Sequence, residues 1–153
     1  MPLINLSALR ACLTPGQRLI GLDPGTRTIG VALSDTRRVL ASPYAQWPRG
    51  KLAATAQAVR RLAAAEGAGG LVVGLPLSMA GSAGPAAQAA RDWAHALSAA
   101  SGLPATLWDE RLSSAAVNRA LSAQEATHRQ RSAHVDRMAA AWILQGALDA
   151  PAE

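Results

Sequence analysis

Three places in this chain set carboxylates where chemistry could follow. Asp23 ends the apolar stretch Leu19-Ile20-Gly21-Leu22, and Pro24-Gly25 turns the chain back at once. Asp109-Glu110 closes the stretch Leu103-Pro104-Ala105-Thr106-Leu107-Trp108, and Asp136 stands at the start of the last apolar segment. A carboxylate in partly apolar surroundings is unfavourable unless it is hydrogen-bonded, paired or bound to a cation. Clustered carboxylates repel unless a cation joins them, and hard divalent ions such as Mg²⁺ or Mn²⁺ take oxygen ligands. A pair of such ions about 4 Å apart stabilises both the attacking and the leaving oxygen of a phosphodiester. Convergence of these acids therefore predicts metal-assisted hydrolysis of a phosphodiester backbone.

Each acid also has a plainer reading. Asp before Pro-Gly is ordinary turn chemistry, so Asp23 either caps its own turn or serves a cation. Asp136 in the first turn of a helix is favoured by the helix dipole alone. Asp109 can pair with Arg111. Strict alternation puts Glu110 on the Trp108 side of its strand and Asp109 on the Leu107 side, so one of the pair faces a cluster; Glu110 is the choice, with Asp109 in reserve.

Other chemistries are poorly served. His95 reads as a structural residue of an apolar helix, and no spacing among His95, His128 and His134 suggests a zinc site. Cys12, the only cysteine, can form no internal disulfide and fits a reducing compartment. Ser78 and Ser82 lie in a Gly-rich loop opening a helix, where backbone N–H groups can hold a phosphate. Trp47, Trp93, Trp108 and Trp142 read as core filler in a chain without phenylalanine.

The elements that must position the acids follow from periodicity. Leu19–Leu22 and Ile29–Leu33 form a hairpin with Asp23 at its lip, and Val39–Tyr44 reads as a third strand. A helix over Lys51–Ala65 stops at Gly67-Ala68-Gly69-Gly70. The continuous apolar run Leu71–Leu77 has the character of a strand buried on both faces. Pro85 suits the first turn of a helix to about Ala100. Leu103–Trp108 is the fifth strand, Ser113 or Ser114 caps a short helix through Leu121, and a polar segment, Gln124–His134, precedes a last helix over Val135–Leu148. A meander followed by strand–helix alternation predicts one α/β domain, a mixed five-stranded sheet with helices on its faces. Such a sheet gathers strand ends on one edge, so convergence of the acids is physically reasonable. The domain is expected over 18–150, with 1–17 as a lead-in that holds a weak amphipathic helix around Ala8–Leu13.

Composition narrows the partners. The 153 residues are half hydrophobic, enough for one real core. The net charge of +5 comes from fifteen basic residues, all arginine but Lys51, against ten acids. That excess favours polyanions such as nucleic acid, although an Arg-for-Lys, Ala-rich chain can also reflect coding bias. No apolar run approaches a membrane span, and the start lacks the layout of a signal peptide, so a cytoplasmic protein with no membrane partner is expected.

Four motifs in order resemble one family: Ile20-Gly21-Leu22-Asp23-Pro24-Gly25-Thr26 with Ile29–Asp35; Val72–Leu77 with Gly81-Ser82; Asp109-Glu110-Arg111-Leu112-Ser113-Ser114; and Val135-Asp136 with Ala139–Gly146. From about Arg18 to Asp149 the chain resembles the YqgF family, also called RuvX, of pre-16S rRNA nucleases. The resemblance implies a ribonuclease H-like fold, kinship with Holliday junction resolvases, and Asp23, Glu110 and Asp136 as metal-binding catalytic residues for Mg²⁺ or Mn²⁺. It implies a role in maturing the 5′ end of 16S rRNA. The loop Ser78-Met79-Ala80-Gly81 departs from the Asn-Met-Asp-Gly usual in relatives. By position, Arg27, Arg111, Arg119 and Arg137 are candidates for flanking phosphates, and Ser82 for a further nucleic-acid contact.

Two other functions remain open. The chain could resolve branched DNA, the same chemistry on another substrate, which needs two sites related by a twofold axis and hence a homodimer rather than a monomer. It could instead be a non-catalytic nucleic-acid-binding module in ribosome assembly or transcription. The Asp-x-Gly-Thr turn also resembles the phosphate loop of actin-like kinases, but this chain is too short for their two lobes.

Overall fold

The computed structural model describes residues 3–75, 84–112 and 128–151, with the side chains of Leu112 and of residues 128–137 outside that description. In chain order the elements are α1 (Leu6–Cys12), β1 (Arg18–Pro24), β2 (Thr28–Ser34), β3 (Ala41–Pro48), α2 (Leu52–Glu66), β4 (Ala68–Leu75), α3 (Pro85–Ser101), β5 (Ala105–Asp109), a single 3₁₀ turn (Glu110–Leu112) and α4 (His128–Asp149). The five strands lie in the order β3-β2-β1-β4-β5. β1, β2 and β3 form an antiparallel meander, while β4 and β5 run parallel to β1. The expected mixed sheet is present, and β1, β4 and β5 end on one edge.

Side-chain alternation sorts the core into two layers. Ile20, Leu22, Ile29, Val31, Leu71 and Val73 face α2 and α3, which press Ala56, Val59, Leu62, Ala94 and Leu97 against them. Leu19, Ala32 and Val72 face the other way, under Ala139, Ala140, Ile143, Leu144 and Ala147 of α4. That helix lies close, because two sheet residues beneath it are glycines. A Cβ on Gly21 would stand 2.7 Å from Leu144 Cβ and 3.1 Å from the Ala140 carbonyl oxygen. Strand β4 is buried along nearly its whole length, as its unbroken apolar run predicts.

The last helix is fastened at its far end. Arg10 of α1 donates from Nη2 to the carbonyl oxygens of Ala147 at 2.9 Å, Ala150 at 2.8 Å and Leu148 at 3.4 Å. A cation on the final carbonyls of a helix satisfies acceptors that have no partner within it and complements its dipole. Leu9 is fully buried in the same layer. The first residues thus pack into the core, and Leu3 bridges to Ala105 of β5.

Four expectations change. β3 starts at Ala41 and runs on through Trp47 to Pro48, while Val39 and Leu40 are exposed and offer their amides to the Asp35 carboxylate at 2.8 and 3.1 Å. Those two N–H groups, Leu40's first, hold the Asp35 carboxyl below its usual range. Ala68, Gly69 and Gly70 belong to β4 rather than to a helix stop, since Leu9 Cδ1 lies 2.6 Å from where a Cβ on Gly70 would be; Gly67 alone ends α2, at φ +68°. His95 is exposed on α3, outside the core. α4 begins at His128, so much of the polar segment is helix. The helix expected after Ser113 lies outside the described residues. No helix among those described is long and apolar enough to cross a membrane.

Candidate active site

Asp23 shares the α4 face of β1 with Leu19 and Gly21, because Ile20 and Leu22 between them face the opposite layer. It stands one residue before the strand's end and is only 6% exposed. Across β2 its partner is Gly30. On the other side, continuing the parallel register one step past Leu22–Val73 sets Gly74 of β4 beside it. Asp23 is therefore flanked by two residues without side chains. The adjoining strands are about 4.8 Å away on each side, so the backbone beside Asp23 forms a trough in the sheet surface, which Ile143 and Glu110 fill at Gly74.

Glu110 reaches the same trough from β5. Trp108 packs in the α4 layer and Leu107 in the opposite one. Past the strand, the 3₁₀ turn carries Glu110 back over its neighbour: its Cγ lies 3.6 Å from where a Cβ on Gly74 would stand. The residue is 8% exposed. Two buried carboxylates thus stand at the ends of β1 and β5, and Glu110 lies over Gly74, where Ile143 Cδ1 also packs. Both are engaged in polar interactions.

Asp109 points elsewhere. Its carboxylate is gripped by Arg111, with Nη2 donating to Oδ2 at 2.6 Å and Nε to both oxygens at 3.1 and 3.0 Å. That side-chain hydrogen bonding holds the Asp109 carboxyl below its ordinary range, and the Arg111 guanidinium is raised in return. Asp109 ends β5 and Glu110 opens the 3₁₀ turn, so the two acids part where the strand ends rather than by alternation along it.

Asp136 lies inside α4, eight residues after its first, His128. The first-turn dipole explanation therefore does not apply to it. Its position precedes Ala140 by four residues and Ile143 by seven, the repeat of the stripe that packs on the sheet. α4 runs antiparallel to β1, with Ala147 in the layer of Leu19, Ala140 over Gly21, and residue 136 a further turn towards the end that carries Asp23. Its side chain is outside the described residues.

Of the remaining candidates, Arg27 is exposed on the turn after Asp23. Arg111 is exposed but committed to Asp109. Arg119, Ser78 and Ser82 lie outside the described residues, as does the side chain of Arg137. Sequence reasoning passed over Thr28 and Gln46. Thr28 shares a face with Gly30 and Ala32, and Gln46 pairs with Gly30 across β3, so both stand on the α4 face in line with Asp23. Both make polar interactions. The usable signal was alternation from the buried Ile29 and Val31.

The donor set suits a hard cation, being buried carboxylate oxygen with no thiol beside it. Among the described residues no three His, Cys, Asp or Glu side chains gather into a cation site.

The chain matches the family described as "RuvX: Holliday junction resolvase" over residues 17–150. It is 61% identical over 154 residues to a protein of Gluconacetobacter diazotrophicus named "Putative pre-16S rRNA nuclease", with all of both chains covered. An Acidiphilium cryptum protein of the same name is 57% identical, covering 97% of this chain and 94% of the relative. Among solved structures, "T. thermophilus RuvC in complex with Holliday junction substrate" superposes with a TM-score of 0.51 at 13% identity, covering 86% of this chain and 93% of that one. At that identity the likeness is one of fold.

Proposed function

Since the chain belongs to the RuvX (YqgF) family, whose relatives carry a nuclease name, we propose that Asp23, Glu110 and Asp136 hydrolyse phosphodiester bonds in the precursor of 16S rRNA. The observation that carries this reading is the burial of two carboxylates, Asp23 and Glu110, at the ends of β1 and β5, with Glu110 lying over Gly74. Carboxylate oxygens at neighbouring strand ends are the ligand type that hard divalent cations take. Mg²⁺ or Mn²⁺ held by these oxygens would supply Lewis-acid polarisation of the phosphate and a hydroxide-like nucleophile. In this reading Asp23 would contribute from the end of β1, Glu110 from the turn after β5 and Asp136 from α4. Arg27 extends from the turn after Asp23, where a guanidinium suits phosphate oxygens. The chain's excess of arginine favours a polyanionic substrate, and a role on rRNA fits the cytoplasm.

The test is cleavage by one preparation of a 16S precursor fragment and of a four-way DNA junction, with Mg²⁺, Mn²⁺ or EDTA. Cutting of the RNA that needs the metal and is lost in Asp23→Asn supports the proposal. RNA cutting by Asp23→Asn at the wild-type rate overturns the mechanism. Exclusive cutting of the junction by a dimer transfers the same chemistry to DNA, and binding without cutting by the metal-loaded wild type favours a non-catalytic module.

A further inference from the structure

The turn that follows Asp23 is held from outside its own hairpin. Within it, the Gly25 N–H donates to the Thr28 carbonyl at 2.8 Å. Arg49, the first residue after β3, then touches the turn twice: its N–H donates to the Arg27 carbonyl at 2.8 Å, and its guanidinium Nη1 donates to the Gly25 carbonyl at 2.6 Å. The same guanidinium sits 5.5 Å from the ring centroid of Trp93 on α3, and Trp93 is itself packed against the sheet core. A charged donor on a backbone carbonyl makes a stronger hydrogen bond than a neutral one, and the indole face adds attraction for the cation. One side chain therefore ties the turn to a helix on the far side of the sheet.

Gly25 is two residues from Asp23, and Pro24 between them has a fixed φ. Gly25 itself is free to turn, but its N–H is held by the Thr28 carbonyl, so a shift of the clamped turn carries to the Asp23 backbone. We propose that Arg49 is a positioning residue for Asp23: by clamping the Gly25 carbonyl against the Trp93 platform, it sets where the Asp23 carboxylate stands in the trough. The proposal rests on the metal-nuclease reading of Asp23. Arg49 lies outside every motif that marks the family, and its exposed side chain gives no sign of the role in the sequence alone.

The test uses the full chain as wild type, Arg49→Gln, Arg49→Lys and Trp93→Leu. Two quantities are read: Mn²⁺ affinity, from the resonance signal of the free ion, and kcat and KM on a 16S precursor fragment. Arg49→Gln is expected to lower kcat about ten- to a hundredfold, the cost of misplacing a reacting group by a fraction of an ångström to one ångström, and to weaken Mn²⁺ binding. KM stays within about twofold, since no substrate contact is removed. Arg49→Lys keeps a cationic donor within reach and recovers most of both losses. Should Arg49→Gln fail to fold, Trp93→Leu removes the platform while leaving the Gly25 contact, and a smaller loss in the same two quantities is expected. Wild-type kcat and Mn²⁺ affinity in the variants overturn the proposal, as does a raised KM at unchanged kcat, which would make Arg49 a phosphate contact. A wild type that neither binds Mn²⁺ nor cuts RNA overturns the metal-nuclease reading itself, and the proposal with it.

Discussion

Glu110 lies over Gly74, with its Cγ 3.6 Å from where a β-carbon on that glycine would stand, and Ile143 Cδ1 of α4 comes within 2.6 Å of the same point. The missing side chain on β4 is thus what lets an acid from β5 and a helix from above share one place beside Asp23. Gly74→Ala is expected to destabilise by about 1–3 kcal/mol, the usual cost of extra volume in a packed layer. The obstacle is the flexible end of Ile143, so Ile143→Val, which removes Cδ1, should be less harmful in the Gly74→Ala background than alone. Urea midpoints of the two single variants and the double variant check this; strictly additive losses would show that Ile143 is not what the methyl meets.

Asp23 and Glu110 are expected to be felt through the metal. Asp23→Asn and Glu110→Gln keep the shape of the side chains and remove a ligand charge each. A divalent ion present at 100 times its Kd should stabilise the wild type by about 2.7 kcal/mol, and either variant should lose most of that gain. Thermal melts with Mg²⁺ and with EDTA measure it. Cleavage should fall about a thousandfold or more, in line with the several kcal/mol a metal-held phosphate contributes.

The far end of α4 matters because the helix also carries position 136. Arg10→Ala removes the cation from the carbonyls of Ala147, Leu148 and Ala150 and is expected to cost about 1–2 kcal/mol, the range for a charge at a partly buried helix end. Amide exchange should quicken first in the last turn of α4 and in α1. Protection unchanged there would mean that packing through Leu9 alone holds the end of the helix.

Much of this arrangement was legible in advance where burial decides the residue type. The hairpin and the doubly buried β4 follow from runs and periods that water exclusion imposes. The misreadings share a cause: local pattern was overridden by a distant contact. Val39 and Leu40 read as strand but lie in the irregular segment before β3, where the Asp35 carboxylate takes up their amides. Gly69 and Gly70 read as a stop because the room they leave is filled from elsewhere, by Gln17 and Leu9. The polar residues from His128 onward stand outside the helix expected from Val135, yet they form the first turns of α4. The trough at Asp23 depends on Gly30 and Gly74 standing on either side of it. Pairing between strands creates that relation, and no single segment displays it.

The two neighbouring acids after β5 are expected to separate cleanly in function and in their response to pH. Arg111 holds the Asp109 carboxyl below its ordinary range through their hydrogen bonds, so as pH falls the unfolded chain takes up this proton before the folded one does. The stability that the pair supplies is complete above the unfolded value, about 3.9, and is lost as pH falls through the lower folded value. Asp109→Asn should therefore be less stable than the wild type near neutral pH, with the gap narrowing below about pH 4. Chemical unfolding of both proteins across that range gives the curve; a gap that is constant with pH would mean that charge plays no part in the pairing. Its cleavage rate should remain within about threefold of wild type, because Asp109 touches Arg111 rather than the trough, whereas Glu110→Gln removes a ligand and loses orders of magnitude. Equal losses in the two variants would place Asp109 in the site after all.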